Sequence, residues 1–183
     1  MSIISPLMTA ARLEEMPDDG FLYDLFRGEL LQMSPASRKH GQIAGRFYTS
    51  LVRFLIDHPV GEIFAWETGF LIETDPDTVL APDVSFIRRE RLPQIEGVEG
   101  FVPIAPDFVL EVISPSDRYS KVDEKTQAWL DAGTQVVIIL DPRRAEARVY
   151  RPLAEVRILS SSETLELPDI VPGWSVPLSS IFA

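Results

Sequence analysis

Two short apolar runs separated by an amphipathic segment constrain the fold of this chain more than any other feature. Phe108–Ile113 is rich in strand-forming residues, and Val136–Leu140 is continuously aliphatic. Between them, residues 117–132 have apolar side chains at helical spacing, and Gly133 suits the left-handed position that follows a helix. This order predicts two parallel neighbouring strands joined by a right-handed crossover, with the second strand buried on both faces.

The rest of the chain predicts further strands and one long helix around this unit. Residues 21–33 are typical of a hairpin, and residues 37–58 have the apolar periodicity of a helix. Residues 62–72 and 79–87 are predicted to be a strand and its returning partner. The other predicted elements are a short helix capped by Thr9, a loop at 88–106, strands at 146–151 and 155–160, and a proline-rich tail on the surface. We therefore expect one domain over residues 1–183, of the mixed α/β (α+β) class, with a mixed sheet flanked by helices.

The net charge of −11, from 28 acidic and 17 basic residues, bears on any interaction with nucleic acid. Binding to a phosphate backbone depends largely on Lys and Arg, so a chain this acidic has no global basic surface. Arginines cluster locally at 88–91 and at 143–151, and the simpler interpretation is that they lie on solvated loops. DNA is a candidate partner that the net charge does not support.

The sequence also indicates a compartment. It contains no Cys, which fits a reducing environment. Residues 1–6 lack the basic and long apolar regions of a signal peptide, and the longest aliphatic run, Val136–Leu140, is too short to cross a bilayer. We therefore expect a cytoplasmic protein with no membrane partner.

A carboxylate inside the first apolar run is the first candidate functional group. Glu111 has apolar neighbours on both sides, and strand alternation places it on the same face as Val109 and Ile113. A lone buried carboxylate is costly, so Glu111 is expected to be ion-paired, protonated or bound to a metal. An ion pair, or a strand edge open to water, explains it without a functional role.

Two aspartates compete to be the second carboxylate of a metal site. The chain has five Pro-Asp pairs, and three of them lie in turns or breaks, where Asp is common. Only Asp83 and Asp107 border apolar strands. Asp107 would share a face with Glu111, whereas Asp83 follows a proline at what is predicted to be a strand start or edge. Both are candidates on these grounds.

Lys125 lies on the inward face of the helix predicted at 117–132. It is three residues after Val122 and four before Trp129, and both of these mark the apolar stripe of that helix. A lysine there can reach back to the strand that contains Glu111. Alternatively, its aliphatic part packs inward while its amine reaches water along the helix flank.

Together these side chains predict metal-assisted chemistry. Two adjacent carboxylates repel each other, and a divalent cation relieves the repulsion. Oxygen ligands favour Mg²⁺ or Mn²⁺, which lowers the pKa of a bound water and polarises a phosphodiester. Asp83 and Glu111 are then the metal ligands, and Lys125 positions the water or stabilises charge on the phosphate.

At these residues the chain resembles the Uma2 family of restriction-endonuclease-like proteins. The matching segments are Gly28–Pro35 with His40 after it, Ala81–Ile87, Pro106–Asp117, Asp123–Lys125, Trp129–Gly133, Val137–Pro142 and Leu167–Trp174. They extend over almost the whole chain, and the Glu-Val-Ile-Ser-Pro-Ser block with the downstream Glu-Lys is the most specific. The resemblance implies the fold of the PD-(D/E)xK nuclease superfamily.

The resemblance also implies roles for individual residues. Asp83 matches the aspartate of the Pro-Asp motif and Glu111 the acid of the second motif, which favours Asp83 over Asp107. The superfamily pattern expects Lys two residues after that acid, where this chain has Ile113. The family relocates the lysine to the following helix, where Lys125 stands.

Three further residues are candidates for supporting the site. Glu29 matches a recurrent family acid and is either an extra ligand, a neighbour of the ligands, or simply a residue after a hairpin turn. His40 matches the family pattern, although its place at a helix start favours a structural role. Asp107 would lie on the same strand face as Glu111.

Two functions agree with the sequence. One is a Mg²⁺-dependent endonuclease that hydrolyses phosphodiester bonds in DNA and that can act as a homodimer; the Asp83–Glu111–Lys125 triad favours it. The other is a non-catalytic module that keeps the nuclease fold for protein binding or regulation; the net acidity favours it. A basic rim around the two carboxylates would favour the enzyme. An acidic rim would favour the module or a third alternative, a metal-dependent hydrolase that acts on a small phosphate ester.

Overall fold

The computed structural model describes residues 7–115 and 117–183. Residues 1–6, on which part of the prediction of a cytoplasmic protein rests, and Ser116 of the second motif lie outside the described residues. The helices are α1 (Ala10–Glu14), α2 (Arg38–Asp57), α3 (Tyr119–Asp131) and α4 (Leu178–Phe182), with a 3₁₀ helix at Arg89–Gln94. The strands are β1 (Tyr23–Phe26), β2 (Glu29–Gln32), β3 (Gly61–Ala65), β4 (Phe70–Glu73), β5 (Thr78–Leu80), β6 (Val84–Arg88), β7 (Phe108–Val112), β8 (Val136–Asp141), β9 (Glu146–Tyr150), β10 (Arg157–Ser160), β11 (Thr164–Glu166) and β12 (Ser175–Pro177).

A six-stranded sheet in the order β10-β9-β8-β7-β6-β3 is the centre of the fold. Its strands β7 and β8 are parallel and are joined through α3, as the sequence predicts, and its other neighbours are antiparallel. Val136, Ile138 and Leu140 of β8 belong to the core on one face, and Val137 and Ile139 to the core on the other. The prediction that this strand is buried on both faces is therefore confirmed.

The core on one face of the sheet is formed with α2 and with the C-terminal tail. Phe47 of α2 is fully buried and meets Trp174 of the tail edge-on, with ring centroids 5.3 Å apart. The prediction of a surface tail is wrong, because its apolar residues alternate with polar residues and prolines that mask the pattern. The buried tail residues are Leu165, Leu167, Ile170, Val171, Trp174, Val176, Leu178 and Ile181.

The other face is covered by α3 and by a second sheet in the order β2-β1-β5-β4. The predicted strands at 62–72 and 79–87 are each broken into two, so that β3 and β6 belong to the large sheet whereas β4 and β5 belong to the small one. In the second of these, the break falls at Pro82, which has no N–H to give to a ladder. The break places Asp83 immediately before β6.

The predicted class, a mixed sheet flanked by helices, is confirmed by this arrangement. A small two-stranded sheet of β11 and β12 completes it. Within the residues that the structure describes, none of the helices is long and apolar enough to cross a membrane.

Replacement of a tail tryptophan tests whether the tail is part of the core. Trp174 is 3% exposed and Trp66, in the turn after β3, is 57% exposed. We expect Trp174→Ala to lower the free energy of unfolding by about 3–5 kcal/mol, because it leaves a cavity in the core. Trp66→Ala, the matched control, should change it by less than about 0.5 kcal/mol. Urea unfolding of both variants measures the difference, and equal costs would contradict the assignment.

Candidate metal centre

The candidate site lies at the end of the large sheet where β6 begins and β7 ends. Val84 of β6 lies opposite Leu110 of β7 in an antiparallel register. Asp83 directly precedes Val84 and Glu111 directly follows Leu110, so both acids lie at this end of the pair, close enough for Asp83 to raise the pKa of Glu111. Two acids from distant parts of the chain therefore meet at one end of the sheet.

Glu111 points towards α3 and contacts two of its side chains. Its Oε1 lies 3.0 Å from Nζ of Lys125 and accepts a hydrogen bond of 3.4 Å from Nε1 of Trp129. The Glu111 and Lys125 side chains are 19% and 22% exposed. Lys125 and Trp129 are four residues apart, one helical turn, which is why both reach the same carboxylate. The structure thus brings Glu111 and Lys125 together.

Asp24 is a member of this cluster that the sequence analysis missed. Its Oδ2 lies 3.1 Å from Nζ of Lys125, and its Oδ1 accepts the backbone N–H of Ala81 at 3.0 Å. The Asp24 side chain is 6% exposed. The signal was present, because Asp24 stands between Tyr23 and Leu25 in a predicted strand, as Glu111 stands between Leu110 and Val112. The same test for a carboxylate among apolar strand residues would have found it.

Asp83 is fixed by the backbone of β7 and by α2. Its Oδ2 accepts the N–H of Val112 at 2.7 Å and lies 3.1 Å from Nε2 of His40. Burial lowers the pKa of His40, but the carboxylates around it, above all Asp83 and then Glu111, raise that pKa more, so it lies above its ordinary value. His40 is therefore a direct neighbour of the site, and it also sits in the first turn of α2, as the sequence predicts.

The cluster has more negative charge than its one lysine can balance. Burial, and to a smaller degree the proximity of Asp83 and Asp24, raise the pKa of Glu111 to about 7, although Lys125 lowers it. Burial lowers the pKa of Lys125, but Glu111 and Asp24 more than compensate and hold it above its ordinary value. The ammonium is thus charged at any physiological pH, and it is shared between two carboxylates.

Asp107 and Glu29 lie apart from this cluster. Asp107 is fully buried, and its oxygens are 2.9 Å from Nε of Arg88 and 3.1 Å from a terminal nitrogen of Arg91. It precedes Glu111 by four strand residues, or roughly 13 Å. Glu29 is exposed on the hairpin, opposite Phe26, and no contact described for it reaches the cluster. The candidate ligands that the structure brings to one place are Asp83 and Glu111, with Asp24 beside them.

The chain matches one protein-family model over most of its length. The model described as "Uma2: Putative restriction endonuclease" matches residues 10–179. This chain belongs to the Uma2 family. None of the curated proteins compared with this Uma2 protein matches it.

The fold of this Uma2 protein is also that of a solved structure. The crystal structure described as that of "a putative nuclease belonging to DUF820 from Anabaena variabilis" matches it with a TM-score of 0.82 and 21% sequence identity. The match covers 96% of this chain and 97% of that chain. It confirms the predicted restriction-endonuclease-like fold.

The donor set of this Uma2 protein fits a small divalent cation. Asp83 and Glu111 offer carboxylate oxygens, and the pKa of Glu111 is raised first by burial and then by the Asp83 and Asp24 carboxylates, whose repulsion a cation would offset. No group of three or more His, Asp or Glu among the described residues is arranged to bind a metal by itself. Mg²⁺ commonly uses one or two carboxylates and keeps several waters, so two ligands suffice.

The raised pKa of Glu111 predicts a dependence of stability on pH. The ordinary pKa of this carboxyl is 4.5 and its folded value is about 7, so the folded state binds the proton more tightly. This contribution to stability is fully present below about pH 4.5 and is lost as the pH rises through about 7. We expect Glu111→Gln, which cannot ionise, to gain roughly 2–3 kcal/mol over the wild type between pH 5 and pH 8 in EDTA.

Denaturant unfolding across this pH range measures the difference. Glu155→Gln, which removes an exposed carboxylate, is the matched control. A flat difference for Glu111→Gln would show that Glu111 has an ordinary pKa.

Proposed function

We propose that this Uma2 protein is an Mg²⁺- or Mn²⁺-dependent endonuclease that hydrolyses phosphodiester bonds in DNA. The observation that carries the proposal is the meeting of Asp83, Glu111 and Lys125 at one end of the sheet. Membership of a family described as "Putative restriction endonuclease" supports it, as does the shared fold.

Asp83 and Glu111 are the residues that would hold the metal. When bound, Mg²⁺ or Mn²⁺ lowers the pKa of a water and polarises a phosphodiester. Trp129 orients the Glu111 carboxylate through its indole N–H, and the Val112 N–H and His40 orient Asp83. Because these contacts fix both carboxylates, the two ligands keep their geometry when a cation or a substrate binds.

Lys125 is suited to act on the substrate phosphate. An ammonium has three N–H donors, and two of its contacts are with Asp24 and Glu111. The remaining donor is available to a phosphate oxygen or to the attacking water. Because Asp24 and Glu111 keep the pKa of Lys125 above its ordinary value, the lysine stabilises charge rather than accepting a proton.

Removal of one metal ligand tests the proposal. We expect the wild type to bind Mn²⁺ in calorimetry and to nick supercoiled DNA in the same buffer. Glu111→Gln should lose both, because its amide is a neutral and weaker ligand, while Glu155→Gln should retain both. If the wild type binds no metal, the three acids and the lysine form only an ion-pair network, and the non-catalytic module becomes the better interpretation.

Replacement of Lys125 tests its role in catalysis separately from metal binding. Lys125→Gln removes the charge that competes with a cation, so Mn²⁺ should bind it at least as tightly as it binds the wild type. Its nicking rate should fall by about 10²–10³-fold, the usual effect of losing one charge-stabilising donor. Because the variant leaves buried acids without their partner, retained Mn²⁺ binding also reports that it is folded. A nicking rate equal to that of the wild type would contradict the role given to Lys125.

A further inference from the structure

A basic surface lies beside the candidate metal centre, where the N-terminus of α2, the loop before α3 and the turn after β8 meet. We call it the basic rim. Its centre is a cavity of about 130 Å³ lined by residues that include Lys39 and His40 of α2, Ile113 after β7, and Arg143 of the turn. His40 also contacts Asp83, so the cavity and the metal centre have a side chain in common.

Three arginines of the rim surround one aromatic ring. The guanidinium carbons of Arg143, Arg144 and Arg148 lie 4.8, 5.7 and 5.4 Å from the ring centroid of Tyr119. The Tyr119 hydroxyl donates a hydrogen bond of 2.6 Å to Asp141. Contact with the face of an aromatic ring fixes a guanidinium without neutralising it. The cluster is therefore an ordered concentration of positive charge.

The carboxylates of the rim balance only part of this charge. Arg143 lies 3.2 Å from Asp141, and Glu146 is shared by Arg148 at 2.9 Å and Arg144 at 3.8 Å. The contacts place Lys39, Arg143, Arg144 and Arg148 at the rim, with Asp141 and Glu146 as the carboxylate partners of the arginines. These four bases outnumber the two acids that they contact, in a chain whose net charge is −11.

The start of α2 adds to the positive potential. Arg38 and Lys39 occupy its first turn, which contains no acid. Cations are unfavourable at this end of a helix, where the free N–H groups already have a positive partial charge. The Lys39 ammonium donates to the carbonyl of Pro142 at 3.0 Å, and no ion pair described for the chain includes Lys39. An anion at the rim would relieve this repulsion.

We propose that the basic rim binds the phosphate backbone of DNA next to the metal centre, with Lys39 and Arg144 in contact with phosphates. The inference rests on the proposed nuclease function and names how that substrate is held. The cations belong to separate elements along the rim, and the Arg143 and Arg144 side chains are 41% and 56% exposed. A cluster of exposed cations from two elements suits the repeated negative charge of a phosphate backbone. It also supplies locally the charge that the acidic chain lacks as a whole.

Salt-dependent binding of labelled duplex DNA in EDTA tests this surface without catalysis. We expect Lys39→Gln and Arg144→Gln each to weaken binding by about five- to tenfold and to reduce the slope of log Kd against log salt by about one. Arg12→Gln, which removes an exposed base from α1, is the matched control and should bind as the wild type does. Wild-type affinity and slope in both rim variants, or no DNA binding by the wild type, would overturn the proposal.

The same variants, assayed for DNA binding and for nicking, distinguish failure of the rim proposal from failure of the nuclease proposal. Glu111→Gln should still bind DNA in EDTA, because it leaves the rim intact. If the wild type binds DNA through Lys39 and Arg144 but does not nick it with Mn²⁺, the rim proposal is supported and the nuclease proposal fails. If the wild type nicks DNA while the rim variants nick with an unchanged KM, the rim proposal fails and the nuclease stands.

Discussion

The contact of Lys125 with both Asp24 and Glu111 is the interaction on which the rest of the site depends. It joins β1 of the small sheet, β7 of the large sheet and α3. A buried cation is stable only when its partners are close, and here it has two of them. One lysine nevertheless cannot neutralise two carboxylates and the neighbouring Asp83. The excess of negative charge in this cluster is the basis of the proposed cation site.

The two ends of the β6–β7 pair illustrate how position separates structural from functional acids. At one end Asp107 is fully buried and is matched by Arg88 and Arg91, so its charge is satisfied within the protein. At the other end, the partners of Asp83 among the described residues are a backbone N–H and His40. The basic rim lies beyond that second end. Acidic ligands and basic contacts are therefore adjacent, an arrangement that suits a metal-assisted reaction on a polyanion.

Local periodicity was enough to predict the strand–helix–strand unit and the inward position of Lys125. The broken strands and the buried tail could not be predicted, because they depend on which sheet each half joins and on packing against Phe47. Asp24 and the rim depend on longer-range contacts. Lys39 and Pro142, for example, are 103 residues apart in sequence. From the sequence alone, the arginines of 143–148 are interpreted as a solvated loop. Only the structure shows that Tyr119 and the start of α2 lie beside them.

The measurement that tests the central claim most directly is the anomalous diffraction of crystals grown with Mn²⁺. The account predicts one strong peak between the Asp83 and Glu111 carboxylates, about 2.1 Å from an oxygen of each, with the Lys125 ammonium still beside Glu111. The absence of a peak there at saturating Mn²⁺, or a peak only at other carboxylates, would contradict it. In that case the cluster would be a structural ion-pair network, and the nuclease fold would serve another purpose.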